Sequence, residues 1–262
     1  MNPARKYDII HIVHSEGVTI ITALILASGM GTRMGALTAD KPKCMAPLTG
    51  GETIISRQIR QLCAAGITRI VITTGAFADI LRGYVNSLGA PAEIIFVHNP
   101  LFADTNYIYS MHLAAEEVRG DMLLIHGDLV FEDRVLALVM SGGSSMAVSS
   151  TAPLPEKDFK AEIHDGHISA VGVDRFSSAY AAQPLYKLCD SERRMWFSQI
   201  ARFCSDGDPQ KRKCYAENAL NEITDKCIIR PADFGSMLCA EADTPDDLQA
   251  ICESLRKEGV NE

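Results

Sequence analysis

Apolar residues along the chain form short continuous runs that alternate with segments of helical spacing. Residues 18–27 are apolar and rich in β-branched side chains, a pattern typical of a strand buried on both faces. A glycine-rich polar segment follows. Beyond it, Ile55, Ile59 and Leu62 recur at helical spacing, which predicts a helix over 53–65. The chain is thus predicted to begin with a strand, a glycine-rich loop and a helix.

The same alternation continues through the first half of the chain. Further strands are predicted at residues 69–73, 93–98 and 122–126, with helices around 80–88 and 108–118 between them. Strands that alternate with helices in this way predict a parallel sheet with right-handed crossovers. The first half is therefore predicted to have an α/β fold with a parallel sheet.

The second half of the chain shows a different pattern. Short strands at 160–164 and 167–173 are joined by an Asp-Gly pair, which predicts a β-hairpin. Residues 190–204 and 245–257 have the spacing of helices. No repeat or low-complexity linker separates the halves, so we expect one domain with a small C-terminal lobe over its site. The boundaries that we predict are an extension at 1–18 and a domain at 19–262, with halves at 19–150 and 151–262.

Composition and charge restrict the classes of function. The chain has 262 residues, of which 47% are hydrophobic and 22% charged, as in an ordinary globular protein. Its net charge of −8 argues against a nucleic-acid partner. The 8 cysteines include no C-x-x-C pair, so we expect reduced thiols rather than a metal cluster. Charged residues interrupt the N-terminal segment, and no apolar run reaches the ~20 residues of a membrane helix, so we expect a cytoplasmic protein without membrane insertion.

Polar signals cluster at the ends of the predicted strands. Ligands of an open parallel sheet bind at the carboxyl ends of its strands. The segments that follow the four strands of the first half are 28–33, Thr74-Gly75, Asn99 and Gly127-Asp128. Four such signals predict a binding site along one edge of the sheet.

The strongest signal is the segment 26–48, LASGMGTRMGALTADKPKCMAPL. Glycines allow backbone N–H groups to turn toward an anion. Arg33 adds a forked cation suited to phosphate oxygens, and Lys43 adds a point charge. The segment lacks the G-K-S/T of a P-loop and the G-x-G-x-x-G of a dinucleotide site. It therefore predicts a phosphate site of another kind.

Asp128 and Asp243 are candidate residues of this site. Asp128 ends an apolar strand, where a carboxylate needs a partner such as a divalent metal; the alternative is an N-cap for a helix near Glu132. Asp243 precedes Thr244-Pro245, and this pair is suited to begin a helix, with the threonine as cap and proline in the first turn. That arrangement leaves Asp243 free to face the site. We interpret His126 as a packed core residue.

The segment 26–48 resembles the signature A-A-G-x-G-S/T-R-L/M followed by P-K of the nucleoside-triphosphate-transferase family. The resemblance extends to Gly127-Asp128 and to E-A-D-T-P at 241–245, and so spans most of the chain. It implies a Rossmann-like, mostly parallel sheet with helices on both faces and a magnesium-dependent nucleotidyltransferase. Mg²⁺ would be held by Asp128 and Asp243, and Arg33 and Lys43 would be catalytic.

The reaction that the resemblance implies requires no covalent enzyme intermediate. An oxygen of the acceptor attacks the α-phosphorus in line and pyrophosphate leaves, so that catalysis consists of positioning and charge neutralisation. The residues that we expect at the nucleotide are Leu26, Ala27, Ser28, Gly29, Met30, Gly31, Thr32, Thr74, Gly75, Asn106 and Ser110. Ser28 departs from the Ala or Gly common in the family.

A second segment, residues 98–110, resembles one particular branch of this family. It is similar to the N-P-x-F/Y-x-x-T-N-x-x-S stretch of bacterial choline-phosphate and 2-aminoethylphosphonate cytidylyltransferases. Asn106 and Ser110 lie one helical turn apart, so both are candidates to face one ligand; the alternative for Asn106 is a helix cap. This branch implies CTP and a small aminoalkyl phosphate or phosphonate as substrates.

An aminoalkyl acceptor carries a cation, which favours carboxylates and aromatic faces. The candidates for contact with the acceptor are Asp104, Tyr107, Tyr186, Tyr215 and Glu217. A sugar-1-phosphate or inositol-phosphate nucleotidyltransferase is the alternative enzyme, although the E-K-P of sugar branches is replaced by E-K-D at 156–158. A non-catalytic nucleotide-binding regulatory module is the alternative of another class. The sequence leaves the oligomeric state open.

Overall fold

A computed structural model describes residues 20–260, which form strands and helices in alternation. The strands are β1 Ile21–Ala27, β2 Arg69–Thr74, β3 Glu93–His98, β4 Asp121–His126, β5 Leu129–Phe131, β6 Ser145–Ser149, β7 Lys160–His164, β8 His167–Gly172, β9 Ala179–Leu188, β10 Arg230–Asp233 and β11 Cys239–Glu241. The helices are α1 Ile54–Ala64, α2 Ala78–Ser87, α3 Tyr107–Ala114, α4 Asp133–Met140, α5 Asp190–Ser205, α6 Ala216–Asn221 and α7 Pro245–Val260.

Most strands belong to one mixed, mostly parallel sheet. Its order is β10-β6-β9-β4-β1-β2-β3, and the β7–β8 hairpin extends it through β9. The centre is parallel, because β1 pairs with β2 on one side and β4 on the other. Strand β9 runs antiparallel between β4 and β6. The second half of the chain therefore contributes to the same sheet as the first half.

Helices cover both faces of this sheet, as the alternation along β1 shows. Leu24 and Leu26 belong to a core shared with α3, α5 and α6, whereas Ala23 and Ile25 belong to a core shared with α1, α2 and α4. Successive side chains of a strand point to opposite faces, so a strand between two layers is apolar throughout. This confirms the α/β fold predicted from the sequence.

A two-stranded ribbon brings the end of the chain to the carboxyl edge of the sheet. Strand β11 pairs antiparallel with β5, with Glu241 opposite Leu129. The Ala242 N–H continues the pairing by donating to the Asp128 carbonyl at 2.9 Å. Helix α7 then packs over the glycine-rich segment through a third core that includes Met34 and Leu248. Residues 128 and 243 are thus neighbours because the ribbon joins their segments.

The predicted strands and helices of the first half are present, and most of their ends differ from the prediction by a few residues. Strand β1 begins at Ile21, and residues 18–19 and the extension 1–18 lie outside the described part of the chain. Helix α3 ends at Ala114 rather than near residue 118. The chain tightens there, because Ala115 and Glu117 donate to carbonyls three residues earlier.

The hairpin of the second half is confirmed. Asp165 and Gly166 join β7 to β8 with φ values of 48° and 74°, the left-handed region that a tight hairpin turn requires. The 8 cysteines carry free thiols, as expected. Between residues 20 and 260, none of the helices is both long and apolar enough to cross a membrane.

Candidate active site

A cleft of about 590 Å³ lies at the carboxyl ends of β1 and β4, where the sequence places its polar signals. One wall is the segment from Gly29 to Arg33, and the floor includes Lys43 and Asp128. The opposite wall comes from the second half of the chain and includes Phe159. The site is therefore built where the two halves meet on the shared sheet.

The glycine-rich segment turns tightly against Lys43. Gly31 has a φ of +62°, and a Cβ at that position would lie 2.9 Å from the Lys43 Cβ. The Thr38 hydroxyl donates to the Gly31 carbonyl at 2.9 Å and holds the turn. Glycine at position 31 is thus required both by the backbone angle and by the approach of Lys43.

Lys43 is held between the two aspartates that the sequence singles out. Its Nζ lies 2.6 Å from Asp128 Oδ2 and 2.5 Å from Asp243 Oδ1. Burial by itself would lower the pKa of Lys43, but the neighbouring carboxylates outweigh it and the pKa is raised. Burial by itself would raise the pKa of Asp128, but Lys43 and His126 outweigh it and the pKa is lowered. The structure therefore favours an ammonium paired with carboxylates at the floor of the cleft.

Asp243 can reach the site because its neighbour Thr244, rather than Asp243 itself, caps helix α7. The Thr244 hydroxyl accepts from the Asp247 N–H at 3.2 Å, and Asp247 Oδ2 accepts from the Thr244 N–H at 2.8 Å. This is the cap predicted at Thr244. It leaves both oxygens of Asp243 for Lys43 and for Arg33 Nη1, which lies 2.8 Å away.

Asp128 does not have the alternative role of a helix cap. Helix α4 begins at Asp133, and its N-cap is Glu132. Asp128 lies before β5, and its carboxylate faces Lys43 rather than the start of the helix. Asp128 is therefore a residue of the cleft.

His126 is a residue of the site and not the packed core residue that we expected. Its Nδ1 lies 3.0 Å from Glu241 Oε1, and its ring packs edge-on against Tyr107 with centroids 4.7 Å apart. Burial raises the pKa of Glu241 to about 7, with a further contribution from Asp128. Potential ligand atoms of His126, Asp128 and Glu241 lie within 4.8 Å of one another, so these three residues could hold a metal ion.

Three aromatic rings, which we call the aromatic wall, line the cleft next to His126. Tyr107 and Tyr215 have ring centroids 6.0 Å apart, and Tyr215 meets Phe159 edge-on at 5.1 Å. Behind this wall lies Glu217, which is 1% exposed. Its two oxygens accept from the hydroxyls of Tyr107 and Tyr186. Tyrosine hydroxyls therefore satisfy a carboxylate that is shut off from solvent.

Several predicted ligand contacts need correction, because the side chains do not line the cleft. Glu217 and Tyr186 are buried behind the aromatic wall, and Asp104 lies on the exposed surface. Thr74 is fully buried, and Gly75 is a glycine because a Cβ there would collide with the Ser28 carbonyl. These two residues support the glycine-rich segment from behind.

Asn106 and Ser110 do not point together at one ligand. Asn106 lines the cleft, but its Oδ1 accepts from the Tyr107 N–H at 2.8 Å as the N-cap of α3, which was the alternative interpretation. Ser110 is fully buried, and its Oγ lies 2.7 Å from Ser28 Oγ. The remaining nucleotide candidates, Leu26, Ala27, Gly29, Met30, Gly31 and Thr32, line the cleft together with Arg33 and Lys43.

Sequence reasoning missed several residues that line the cleft. His126 and Glu241 are the last residues of β4 and β11, and each lies two positions before an aspartate of the site. Lys157 and Asp158 lie on the loop before β7. Burial raises the pKa of Asp158, with further contributions from Asp243 and Asp247. The loop has no periodic pattern, so only the folded chain shows that it faces the site.

Comparison with known proteins agrees with this geometry. A family model for the MobA-like NTP transferase domain matches residues 23–219. The CMP-5'-(3-aminopropyl)phosphonate synthase of Streptomyces rubellomurinus is 31% identical over 134 residues, which cover 51% of this chain and 21% of the relative. The CTP:phosphoglutamine cytidylyltransferase of Campylobacter jejuni is 32% identical over 126 residues, which cover 45% and 48%. The chain thus spans about half or less of the length of these curated relatives.

A solved structure shows the same fold over nearly the whole chain. The CTP:phosphocholine cytidylyltransferase of Streptococcus pneumoniae superposes with a TM-score of 0.71, covering 90% of this chain and 99% of that one, at 18% identity. The family model covers well over half of the 262 residues. The chain belongs to the MobA-like NTP transferase family, a family of nucleotidyltransferases.

Proposed function

We propose that the protein transfers CMP from CTP to a small phosphorylated or phosphonate acceptor and releases pyrophosphate. The observation that carries the proposal is Lys43, held within 2.6 Å of Asp128 and Asp243 beside the glycine-rich segment. Backbone N–H groups and cations suit a triphosphate, and paired carboxylates suit the cation that accompanies it. The names of the two curated relatives, which refer to CMP and CTP, support cytidine as the nucleoside.

The chain's own residues account for catalysis by positioning and charge. An acceptor oxygen attacks the α-phosphorus, the bond to the β-phosphate oxygen breaks, and pyrophosphate leaves with the electron pair. Lys43 is the cation at the floor of the cleft and would stabilise charge that develops on the α-phosphate. Arg33, whose side chain is 65% exposed, would hold the outer phosphates.

The carboxylates fit a divalent cation. Asp128 and Asp243 both place a carboxylate oxygen within 2.6 Å of the Lys43 ammonium, so their oxygens converge on a point that suits a cation. Mg²⁺ is held in such sites by one or two carboxylates together with substrate phosphates. We propose that Asp128 and Asp243 hold it. Bound there, it would neutralise the charge of the triphosphate.

The acceptor would lie against the aromatic wall. Tyr107, Tyr215 and Phe159 line the cleft there, and aromatic faces attract a cationic group. Glu217 lies behind Tyr107 and would act on the acceptor only through that ring. We therefore propose phosphocholine or 2-aminoethylphosphonate as the acceptor, with the nucleotide held mainly by residues 19–150 and the acceptor by residues 151–262.

The test is a matrix of CTP, UTP, ATP and GTP against phosphocholine, 2-aminoethylphosphonate, phosphoethanolamine, inositol-1-phosphate and glucose-1-phosphate, read as pyrophosphate release. We expect release with CTP and an aminoalkyl acceptor, and loss of release with a magnesium chelator or in Asp128→Asn and Asp243→Asn. A preference for glucose-1-phosphate or inositol-1-phosphate would favour the alternative enzymes. Tight nucleotide binding without release from any pair would favour a regulatory module.

A further inference from the structure

The loop before β7 reaches the cleft but has no regular structure of its own. Its residues 153–158, with the sequence PLPEKD, form neither helix nor strand, and the two prolines have no N–H to donate. Lys157 and Asp158 nevertheless line the cleft, together with the Phe159 that follows them. The backbone of this loop therefore needs a partner outside the loop to keep these side chains at the cleft.

Lys160 is that partner. It is 0% exposed, and its Nζ donates to the carbonyls of Asp158 at 3.0 Å and Glu156 at 3.4 Å. A third hydrogen bond, of 2.5 Å, goes to the carbonyl of Val173, which follows β8 and also lines the cleft. An ammonium has three hydrogens, so these carbonyls use all of them. In the described part of the chain, residues 153–158 form no other hydrogen bond.

The position of a lysine here is informative because a buried ammonium is costly. A cation taken out of water requires hydrogen bonds or an opposite charge in return. Within residues 20–260 the hydrogen-bond partners of Lys160 are all backbone carbonyls, and the Phe176 ring covers its Nζ with the centroid 4.4 Å away. Backbone partners fix the path of the chain rather than the orientation of one side chain. Lys160 thus determines the shape of the loop.

We propose that Lys160 is a positioning residue for nucleotidyl transfer, whose ammonium holds residues 153–158 so that Lys157 and Asp158 face the cleft. Lys160 is fully buried and so touches no substrate itself. The inference rests on the proposed function, in which this half of the chain holds the acceptor. Without the ammonium, the carbonyls of the loop would turn to water and the loop would leave the cleft. Loss of Lys160 should therefore weaken use of the acceptor and leave binding of CTP unchanged.

The test compares the wild type with Lys160→Met at matched folded fraction. The rate of trypsin cleavage after Lys157, followed by mass spectrometry of the two fragments, reports whether the loop is held. We expect faster cleavage in Lys160→Met. We also expect kcat/KM for the acceptor, measured with phosphocholine and with 2-aminoethylphosphonate, to fall by about 10², the scale of a misplaced substrate, with KM for CTP unchanged.

The matched control is Lys187→Met, which removes a second buried lysine. Lys187 donates to the Gly142 carbonyl and does not line the cleft, so both readouts should equal those of the wild type. Phe176→Ala is a second variant for the case that Lys160→Met does not fold. Phe176 is 57% exposed, so its removal should leave the fold intact but uncover the ammonium. Cleavage after Lys157 should then be faster, and kcat/KM for the acceptor lower, than in the wild type.

Two results would overturn the inference. One is a wild-type value of either readout in folded Lys160→Met, or in Phe176→Ala if Lys160→Met does not fold. The other is an equal loss in Lys187→Met, which would indicate general destabilisation. A wild type that releases no pyrophosphate from any pair of substrates would instead refute the proposed function, and the cleavage rates would still show whether Lys160 holds the loop.

Discussion

At the scale of single residues, the positive and negative side chains of the site are paired with one another. Lys43 faces Asp128 and Asp243, and Arg33 shares the second of these. Neither aspartate is left as an unpaired buried charge, which would be costly. The same ion pairs place Lys43 where a phosphate would arrive, so the residue is both a structural partner and the candidate catalytic cation.

Replacing Lys43 should mainly affect the chemical step. If Lys43 stabilises charge on the α-phosphate, Lys43→Ala should lower kcat by about 10²–10³, or about 2.7–4 kcal/mol, with a smaller change in KM for CTP. Steady-state pyrophosphate release measures both constants. Lys41→Ala is the control, because Lys41 lies on the same segment but does not line the cleft. An effect confined to KM would make Lys43 a binding residue only.

At the scale of elements, the glycine-rich segment and the start of α7 bring the charges together. Gly31 allows the segment to pass close to Lys43. Thr244 caps α7, so the Asp243 carboxylate is not needed as the cap and can pair with Lys43. Each contribution can be separated from general stability by a matched variant.

Gly31→Ala tests the close approach. Both Gly31 and Gly50 have positive φ, so alanine at either position should cost about 1–2 kcal/mol of stability. Only the Gly31 Cβ would press on Lys43, since the position beside Gly50 is open. Gly31→Ala should therefore lower kcat well beyond Gly50→Ala at matched folded fraction. Equal kcat values in the two variants would contradict the account.

Thr244→Ala tests the cap of α7. Loss of the hydroxyl should lower the free energy of unfolding by about 1 kcal/mol, measured by urea denaturation. It should also lower pyrophosphate release, because Asp243 is then free to rotate away from Lys43. Thr244→Ser retains the hydroxyl and should behave like the wild type. A loss of stability in the serine variant equal to that in the alanine variant would show that the methyl group matters instead.

At the scale of the whole molecule, the two halves of the chain meet at Glu217. Its carboxylate on α6 accepts from Tyr107 on α3 and from Tyr186 on β9. The first tyrosine lines the cleft and the second does not. The buried carboxylate thus connects the acceptor end of the cleft to the sheet.

Phenylalanine variants of Tyr107 and Tyr186 distinguish an effect on stability from an effect on acceptor binding. Tyr107→Phe and Tyr186→Phe each delete one hydrogen bond to a charged group, so each should lose about 1.5–3 kcal/mol of stability. Only Tyr107→Phe should raise the acceptor KM, by about tenfold, while the KM for CTP stays unchanged. Thermal unfolding and two-substrate kinetics measure the two effects. Equal acceptor KM values in both variants would exclude a role for the Tyr107 hydroxyl in acceptor binding.

The features that could be predicted from the sequence are those that a local pattern of residues encodes. The run that forms β1 and the hairpin turn at Asp165-Gly166 carry their own signals, and so does the cap at Thr244. Strand β9 carries no such signal, because it contains Pro184 and a proline argues against a central strand. In the structure the register of β6 against β9 shifts beside Pro184, and this bulge accommodates the proline.

The burial of individual polar residues could not be predicted in this way. Glu217 looks like an exposed acceptor ligand in sequence, but two tyrosines from other elements satisfy its charge in the core. His126 looks like a core residue, but the β5–β11 ribbon brings Glu241 to its ring. In both cases the decisive partner is distant along the chain, so only the tertiary structure reveals it.

The most direct test of the central claim is ³¹P NMR of CTP mixed with phosphocholine, 2-aminoethylphosphonate and Mg²⁺ in the presence of the enzyme. Attack on the α-phosphorus predicts that the β and γ resonances of CTP are replaced by one pyrophosphate resonance. It also predicts that one acceptor phosphorus enters a P–O–P linkage for each pyrophosphate formed. Appearance of CDP or orthophosphate instead, with no new linkage to the acceptor, would contradict nucleotidyl transfer.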